Sequence, residues 1–162
     1  IAALPGFRGT KRRQELVGSC RGIHVYDDFA HHPTAVRETL AGFRERVDGR
    51  LIAVFEPRSA TASRNLHQED YPDAFGAADV AVLAPVGRGE IAARERLDVE
   101  RIADAIRRAG RESIACVTVS EAVAEAVRAA RPGDTIVVMS NGRFEDAPDR
   151  ILLGLGRAQL RG

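Results

Sequence analysis

Three apolar runs of strand length most constrain how this 162-residue chain can fold. They lie within residues 50–56, 79–85 and 135–139. A strand with one face in water alternates apolar and polar residues, whereas a continuously apolar strand is buried on both faces, as in a parallel sheet covered by helices. Helical patterns separate the runs, and no internal repeat interrupts them. The sequence therefore predicts an α/β domain with a mainly parallel sheet and helices on both faces.

The beginning of the chain is expected to form a hairpin. Residues 15–23 have the pattern of a strand, a turn and the start of a second strand. Strands joined by a short turn are antiparallel neighbours, so this hairpin would add one antiparallel strand at an edge of the sheet. The complete prediction is a Rossmann-like fold in a single domain spanning residues 1–162.

Helices are predicted where apolar residues recur at helical spacing. The first begins at Thr34, Asp98 and Ser120 are the predicted N-caps of two others, and a closing helix starts near Pro148. A further strand is predicted over residues 113–119, with Cys116 inside it. The predicted helical segments are 34–47, 99–109, 121–130 and the residues from about 148 onward.

The composition argues against several partners. With 24 basic and 23 acidic residues the net charge is +1, which gives no electrostatic reason to expect a nucleic acid or a membrane. The start of the chain lacks the basic and apolar regions of a signal peptide, and without an initiator Met it is expected to be a piece of a longer protein. Cys20 and Cys116 have no metal-binding spacing, so we expect small buried side chains and a cytoplasmic protein.

The densest polar cluster follows the predicted strand at residues 23–26. It contains Asp27, Asp28, His31 and His32, and the first helix begins directly after it. Open α/β sheets bind ligands at the carboxyl ends of their strands, and a helix N-terminus offers free N–H groups to an anion. One acid that caps the turn, with solvated histidines, is the simpler interpretation. The four residues together favour a site.

Two further strands also end in polar residues. The run within residues 50–56 leads into Glu56-Pro57-Arg58-Ser59-Ala60-Thr61, and the run at 135–139 leads into Ser140-Asn141-Gly142-Arg143-Phe144. Taken alone, the first is more simply interpreted as a turn with a surface arginine than as a binding site. Because parallel strands end at the same edge of a sheet, these segments are expected to lie near the first cluster.

These segments resemble the C-terminal domain of Mur ligases, the ATP-dependent amide ligases of peptidoglycan synthesis. Residues 28–33, Asp-Phe-Ala-His-His-Pro, resemble the Asp-aromatic-small-His-x-Pro signature of the family, and residues 7–15 resemble the segment through which the chain enters this domain. Within the family, residues 25–34 are most similar to the members that recycle cell-wall peptide. The alanine-adding members are the alternative, although they usually carry Tyr-Gly in place of Phe29-Ala30.

The resemblance implies roles for residues at all three strand ends. An arginine, an acid and polar residues would contact ATP, and a second set would contact the incoming peptide. No catalytic residue and no metal ligand are assigned within this domain. The implied ATP-binding residues are Arg13, Asp28, His31, Ser140, Asn141 and Phe144; the implied substrate-binding residues are His32, Arg58, Ser59, Thr61 and Arg64.

The resemblance also implies a reaction that needs more than this domain. The ligase would use ATP and Mg²⁺ to join a recycled murein tripeptide to UDP-N-acetylmuramate. The chain lacks a Gly-x-x-x-x-Gly-Lys-Ser/Thr phosphate loop, so ATP and Mg²⁺ would be held mainly by a central domain, with residues 1–13 as the junction to it. The implied partners are the N-terminal and central domains of the same enzyme, and the 162 residues alone are not expected to form an amide bond. Residues 143–148 depart from the glycine-rich, histidine-containing continuation expected here.

Two other functions compete with the ligase. Asp28, His31 and His32 superficially resemble the Asp-His-His core of metal-dependent phosphoesterases, and such side chains can bind Mn²⁺ or Zn²⁺. That function needs several further ligands, and the remaining histidines, His24 and His67, belong to no motif. The other possibility is a nucleotide-binding or partner-binding domain without catalytic activity.

Overall fold

The computed structural model describes residues 13–87 and 89–159, and the predicted junction at residues 1–13 lies outside this part except for Arg13. The described residues form a six-stranded sheet with the order β1-β2-β6-β3-β4-β5. The β1–β2 pair is antiparallel and every other pair is parallel. The strands are β1 (Glu15–Cys20), β2 (Ile23–Asp28), β3 (Leu51–Phe55), β4 (Val80–Leu83), β5 (Glu112–Ala115) and β6 (Thr135–Met139).

Helices cover both faces of the sheet. They are α1 (Pro33–Arg44), α2 (Tyr71–Ala74), α3 (Val99–Arg108), α4 (Val119–Ala129) and α5 (Ala147–Gln159), with short 3₁₀ turns at Asn65–His67, Ala93–Glu95 and Phe144–Asp146. Within the described residues, none of these helices is long and apolar enough to cross a membrane. The predicted fold class, including the hairpin at one edge, is confirmed.

Two separate apolar cores explain why the side chains of three strands are apolar, apart from Thr135 at the start of β6. Every residue of β3, β4 and β6 is buried. Alternate residues of these strands point to opposite faces, so one core packs with α1, α2 and α3, and the other packs with α4 and α5. The sequence pattern was therefore a sound guide to strands that are covered on both sides.

The first helix begins where its sequence predicts, within one residue. Pro33 occupies the first turn, where its missing N–H costs nothing and its fixed φ suits a helix. The N-cap is His32, whose Nδ1 accepts a hydrogen bond from the Thr34 N–H. Of the predicted stripe, Val36, Leu40 and Phe43 are buried, whereas Val47 lies beyond the helix and is half-buried.

The prediction was wrong about the segment between β5 and α4. The strand ends at Ala115, so Cys116 follows it, and Thr118 rather than Ser120 caps the helix. The Thr118 Oγ1 accepts from the Glu121 N–H at 3.0 Å, and the Glu121 carboxylate accepts from the Val117 N–H at 2.8 Å. This arrangement is close to a capping box, and its Thr-x-x-Glu spacing was a visible signal that the sequence analysis missed.

Ser120, which was predicted to cap α4, bonds to another residue. Ser120 Oγ accepts from the Arg150 guanidinium at 2.7 Å, which ties α4 to α5.

Cys116 is buried, and this burial raises the pKa of its thiol to about 11. The thiol is therefore protonated at neutral pH, as expected for a small apolar side chain.

A left-handed turn connects β6 to α5. Phe144, Glu145 and Asp146 have φ angles of 51°, 46° and 56°, a region that costs L-residues about 1–2 kcal/mol each. Burial of the Phe144 side chain holds the turn from inside. Surface ion pairs hold it from outside: Arg143 with Asp146 at 3.0 Å and Arg150 with Glu145 at 3.2 Å. The glycine-poor sequence of residues 143–148 therefore adopts a conformation that glycine would enter without strain.

Replacing Asp146 by glycine is expected to stabilise the protein. The substitution removes the left-handed penalty and loses an exposed ion pair of little energetic value, at some cost in the entropy of the unfolded chain. We expect a net gain of roughly 0.5–1 kcal/mol in the free energy of unfolding. Denaturant titration followed by circular dichroism would measure it.

Asp149 provides the matched control, because it is an exposed aspartate only three residues later, inside the first turn of α5. Asp149→Gly should destabilise by roughly 0.5–1 kcal/mol, since glycine is a poorer helix former than aspartate and the substitution removes a negative charge from the first turn of the helix. If both glycine variants lower the stability equally, the turn at residues 144–146 is not strained.

Candidate functional site

The central strand β6 brings the polar strand ends together. Met139 is paired with Asp28 of β2 on one side and with Phe55 of β3 on the other. The chain leaves β3 towards the helices of one face and leaves β6 towards α5 on the opposite face. A crevice forms where neighbouring strands connect to opposite faces, and ligands bind there in open α/β sheets. Asp28, Ser140 and Glu56 surround this point, as the sequence predicted.

Asp28 is the most constrained acid of the first cluster. The residue is 4% exposed. Oδ1 accepts from the Ala30 N–H at 2.8 Å and from the Thr39 hydroxyl at 3.2 Å, and Oδ2 accepts from the Gln14 N–H at 2.9 Å. A carboxylate can accept about four hydrogen bonds, so this one is nearly saturated. It fixes the turn between β2 and α1 and joins it to the segment before β1.

The neighbouring His31 has a defined tautomer. Its Nδ1 lies 3.0 Å from the Phe29 carbonyl oxygen. A carbonyl can only accept, so Nδ1 carries the hydrogen, and Nε2 of the neutral ring remains an acceptor. The Tyr71 hydroxyl donates to the His31 carbonyl at 2.7 Å, and burial raises the pKa of that phenol. The histidine backbone is therefore fixed from α2.

His32 has a structural role that the sequence did not show. As the N-cap of α1 it satisfies one of the helix's free N–H groups. Its ring packs edge-on against His67, with ring centres 4.6 Å apart, and His67 Nδ1 lies 3.1 Å from Asp70 Oδ2. No motif pointed to His67. Over residues 13–87 and 89–159, no group of three His, Cys, Asp or Glu side chains is arranged to hold a metal, so the phosphoesterase hypothesis gains no further ligands.

A cavity of about 590 Å³ opens beside this cluster. Arg13, Asp28, Phe29 and His31 line it, and the Arg13 side chain is exposed. An exposed guanidinium next to a half-exposed histidine is suited to an anionic ligand.

The second polar strand end is built on a buried carboxylate. Glu56 is 2% exposed, and its Oε2 accepts from the Ser140 hydroxyl at 2.6 Å. Ser140 Oγ in turn accepts from the Gly142 N–H at 3.0 Å. Glu56 Oε1 lies 3.6 Å from Arg58 Nη1, and the Arg58 side chain is 46% exposed. The ends of β3 and β6 are thus tied together, with one arginine reaching outward from them.

The remaining predicted substrate-binding residues differ in whether their side chains are already bonded to other residues. Ser59 Oγ accepts from the Ala62 N–H at 2.9 Å and so shapes the turn. Thr61 is exposed, and among the described residues its hydroxyl has no hydrogen bond. Arg64 is paired with Glu95 at 2.6 Å, so it would have to exchange this partner for a ligand.

The end of β6 contains one unsatisfied polar atom. Asn141 Oδ1 is buried and has no hydrogen-bond partner among the described residues, which is an uncommon and costly state that a ligand donor would relieve. Phe144, predicted beside the nucleotide, is instead fully buried in the core with α4 and α5. In this arrangement its ring is not exposed to a ligand.

Comparison with known proteins identifies the class of this fold and site. Residues 12–142 match the family described as Mur ligase, glutamate ligase domain. The chain belongs to the Mur ligase family. The chain is 40% identical over 158 residues to the UDP-N-acetylmuramate--L-alanyl-gamma-D-glutamyl-meso-2,6-diaminoheptandioate ligase of Escherichia coli strain K12, covering 96% of this chain and 32% of the relative.

Two further relatives have different names, one an alanine ligase and the other a murein peptide ligase. The UDP-N-acetylmuramate--L-alanine ligase of Rhizobium meliloti is 36% identical over 140 residues, which covers 86% of this chain and 30% of that protein. The crystal structure of a murein peptide ligase from Psychrobacter arcticus superimposes with a TM-score of 0.75 at 35% identity, over 93% of this chain and 31% of that one. The chain therefore spans about a third of the length of the proteins it matches.

Ser140→Ala is expected to destabilise the protein by about 1–3 kcal/mol, because it leaves a buried carboxylate oxygen without its donor. Ser113→Ala is the matched control, since Ser113 is also buried but donates to a neutral acceptor, the Ala81 carbonyl. Thermal and urea unfolding of both variants would compare the two losses. A loss for Ser140→Ala no larger than that for Ser113→Ala would show that the Glu56–Ser140 bond contributes little.

Proposed function

We propose that the chain is the C-terminal domain of an ATP-dependent ligase that joins L-alanyl-γ-D-glutamyl-meso-diaminopimelate to UDP-N-acetylmuramate. The observation that carries this proposal is the convergence, at the end of β6, of two different polar strand ends in a Mur ligase domain. One end is suited to a nucleotide and the other to a carboxylate-bearing peptide. The reaction is proposed for the whole enzyme, in the cytoplasm, with the N-terminal and central domains as partners.

The nucleotide side of the proposal rests on the β2 and β6 ends. Arg13 is exposed in the cavity beside Asp28 and His31, where it would meet a phosphate group in bidentate fashion. The unpaired, buried Asn141 Oδ1 is suited to accept from an amino group such as that of adenine. Asp28 would accept from the ribose at its remaining lone pair, and Ser140 would hold Asn141 in place from the preceding position.

ATP supplies the phosphoryl group that activates the carboxylate of UDP-N-acetylmuramate for attack by the peptide amine. Among the described residues no carboxylate cluster is arranged for a metal ion, so we assign Mg²⁺ mainly to the central domain. The contribution of this chain would be to orient the two substrates and to close over them, which excludes water from an activated carboxylate.

The peptide side of the proposal rests on the β3 end. Arg58 offers a half-exposed guanidinium next to the crevice, which matches a peptide carboxylate in charge and geometry. Thr61 and His32 are exposed and are further candidates, whereas Ser59 shapes the turn and Arg64 must release Glu95 to take part. The tripeptide has several carboxylates, so more than one of these residues can be used at once.

An alanine-adding ligase is the second candidate. The 36% identity to the Rhizobium meliloti alanine ligase favours it, and the Phe29-Ala30 pair argues against it. The two candidates differ in the amine substrate alone. The whole gene product, given ATP, Mg²⁺ and UDP-N-acetylmuramate, should release phosphate with the tripeptide and not with L-alanine. Phosphate release with L-alanine alone would establish the second candidate, and release with neither would refute both.

Arg58→Ala is expected to raise the KM for the tripeptide by about tenfold or more, the effect of losing one hydrogen bond to a charged group. The KM for ATP should change little, because Arg58 extends from the β3 end. Arg101→Ala is the control: Arg101 is also half-exposed and pairs with an acid, Glu69, but it lies on α3. If Arg58→Ala changes both KM values alike and lowers the melting temperature, Arg58 serves the loop rather than the peptide.

Asp28→Asn is expected to raise the KM for ATP by about tenfold, since the amide is a weaker acceptor than a carboxylate. Thr39→Val is the control for indirect effects on the turn. It removes one of the donors that hold the Asp28 carboxylate but leaves the carboxylate itself free to accept from the ribose. Steady-state kinetics with both substrates would test this. Should Thr39→Val reproduce the change in the KM for ATP, Asp28 acts through the turn and not through the nucleotide.

A further inference from the structure

We infer that Gly87, Gly142 and Glu56 are positioning residues that hold the Arg58 side chain in a slot at the crevice. Gly87 follows β4, Glu56 and Arg58 follow β3, and Gly142 follows β6. Three strand ends would therefore set the direction of one guanidinium. The functional part of this inference rests on the proposed role of Arg58 in binding the peptide carboxylate.

The strongest evidence is steric. A Cβ atom added to Gly142 would lie 2.2 Å from Arg58 Cδ and 2.5 Å from its Nε, distances that real side chains do not show. The Gly142 backbone is outside the left-handed region, so glycine is not required there by its own conformation. The absence of a side chain at residue 142 serves to let Arg58 pass.

Gly87 forms the other wall of the slot. A Cβ atom there would lie 3.1 Å from Arg58 Cγ and 2.8 Å from Glu56 Oε1. The Gly87 N–H donates to the Pro57 carbonyl at 2.9 Å, so the loop after β4 is fixed against the segment that contains Arg58. The arginine stem is thus confined between two backbones.

The electrostatic evidence comes from the buried acid. Glu56 Oε1 lies 3.6 Å from Arg58 Nη1, and Glu56 is itself held by the Ser140 hydroxyl. A long arginine side chain otherwise samples several rotamers. The attraction to the buried Glu56 carboxylate favours the rotamer that brings the Arg58 guanidinium close to it. Ser140 also accepts from the Gly142 N–H. Gly142, Ser140 and Glu56 therefore belong to one hydrogen-bond network.

A kinetic double-mutant cycle tests the slot in the whole gene product. Gly142→Ala should raise the KM for the tripeptide by about tenfold, as Arg58→Ala does, because the guanidinium is misplaced rather than removed. The double variant Arg58→Ala/Gly142→Ala should match Arg58→Ala within about twofold, since residues that act as a unit are not additive. The KM for ATP should stay within about twofold throughout.

Two controls accompany the cycle. Gly89→Ala changes a nearby glycine with open space around its Cβ position, and it should leave both KM values unchanged. Glu56→Gln keeps the shape and an acceptor for Ser140 but removes the attraction for Arg58. It should raise the KM for the tripeptide while the KM for ATP is kept. Additive effects of Arg58→Ala and Gly142→Ala, or a normal KM for the tripeptide in Gly142→Ala when Arg58→Ala raises it, would overturn the inference.

A stability cycle with the same variants separates this inference from the proposed function. Gly142→Ala should lower the melting temperature when Arg58 is present and change it much less in the Arg58→Ala background, whether or not the protein ligates anything. Stability coupling, with a normal KM for the tripeptide in both Arg58→Ala and Gly142→Ala, refutes the proposed role of Arg58 in peptide binding and leaves the slot standing. The absence of coupling in both cycles refutes the slot itself.

Discussion

The parallel pairing of β6 with β2 and β3 is the constraint on which the rest of the structure depends. β6 is the last strand along the chain but lies inside the sheet, and all five of its residues are buried. Its register places Met139 opposite Asp28 and Phe55. A shift by one residue would move every side chain of the strand to the other face. The packing of both cores therefore fixes the relative position of the three strand ends.

Buried hydrogen bonds then hold the polar side chains at these strand ends in place, so the site has a rigid base. Asp28 is held by three donors from separate segments, and Glu56 is held by Ser140 across the ends of β3 and β6. Buried charges are stable only when they are paired in this way. The groups offered to a ligand, Arg13 and Arg58, are exposed above this base. Such a surface fits the proposed function, in which other domains of the same enzyme complete the binding site.

The turn after β6 shows how a sequence without glycine holds a left-handed backbone. Three consecutive residues are left-handed, Phe144 is anchored in the core, and two arginines pair with the acids of the turn. Strained backbone persists when the surrounding structure holds it on several sides. The turn also buries Phe144, so the residue that the resemblance placed beside the nucleotide supports the core instead.

The sequence by itself determined the alternation of strands and helices along the chain, the hairpin at the edge, and the presence of polar clusters after β2, β3 and β6. It could do so because continuous apolar runs and turn residues reflect local geometry and burial. It could not determine which buried polar atoms meet, because Glu56 and Ser140 are 84 residues apart, and no spacing rule relates them. The ring contact of His32 with His67, the Arg64–Glu95 pair and the passage of Arg58 over Gly142 were likewise decided by tertiary packing. The cap of α4 is a different case: Thr118 and Ser120 are both suitable caps, and the Thr118-x-x-Glu121 spacing already favoured Thr118, in agreement with the end of β5 at Ala115.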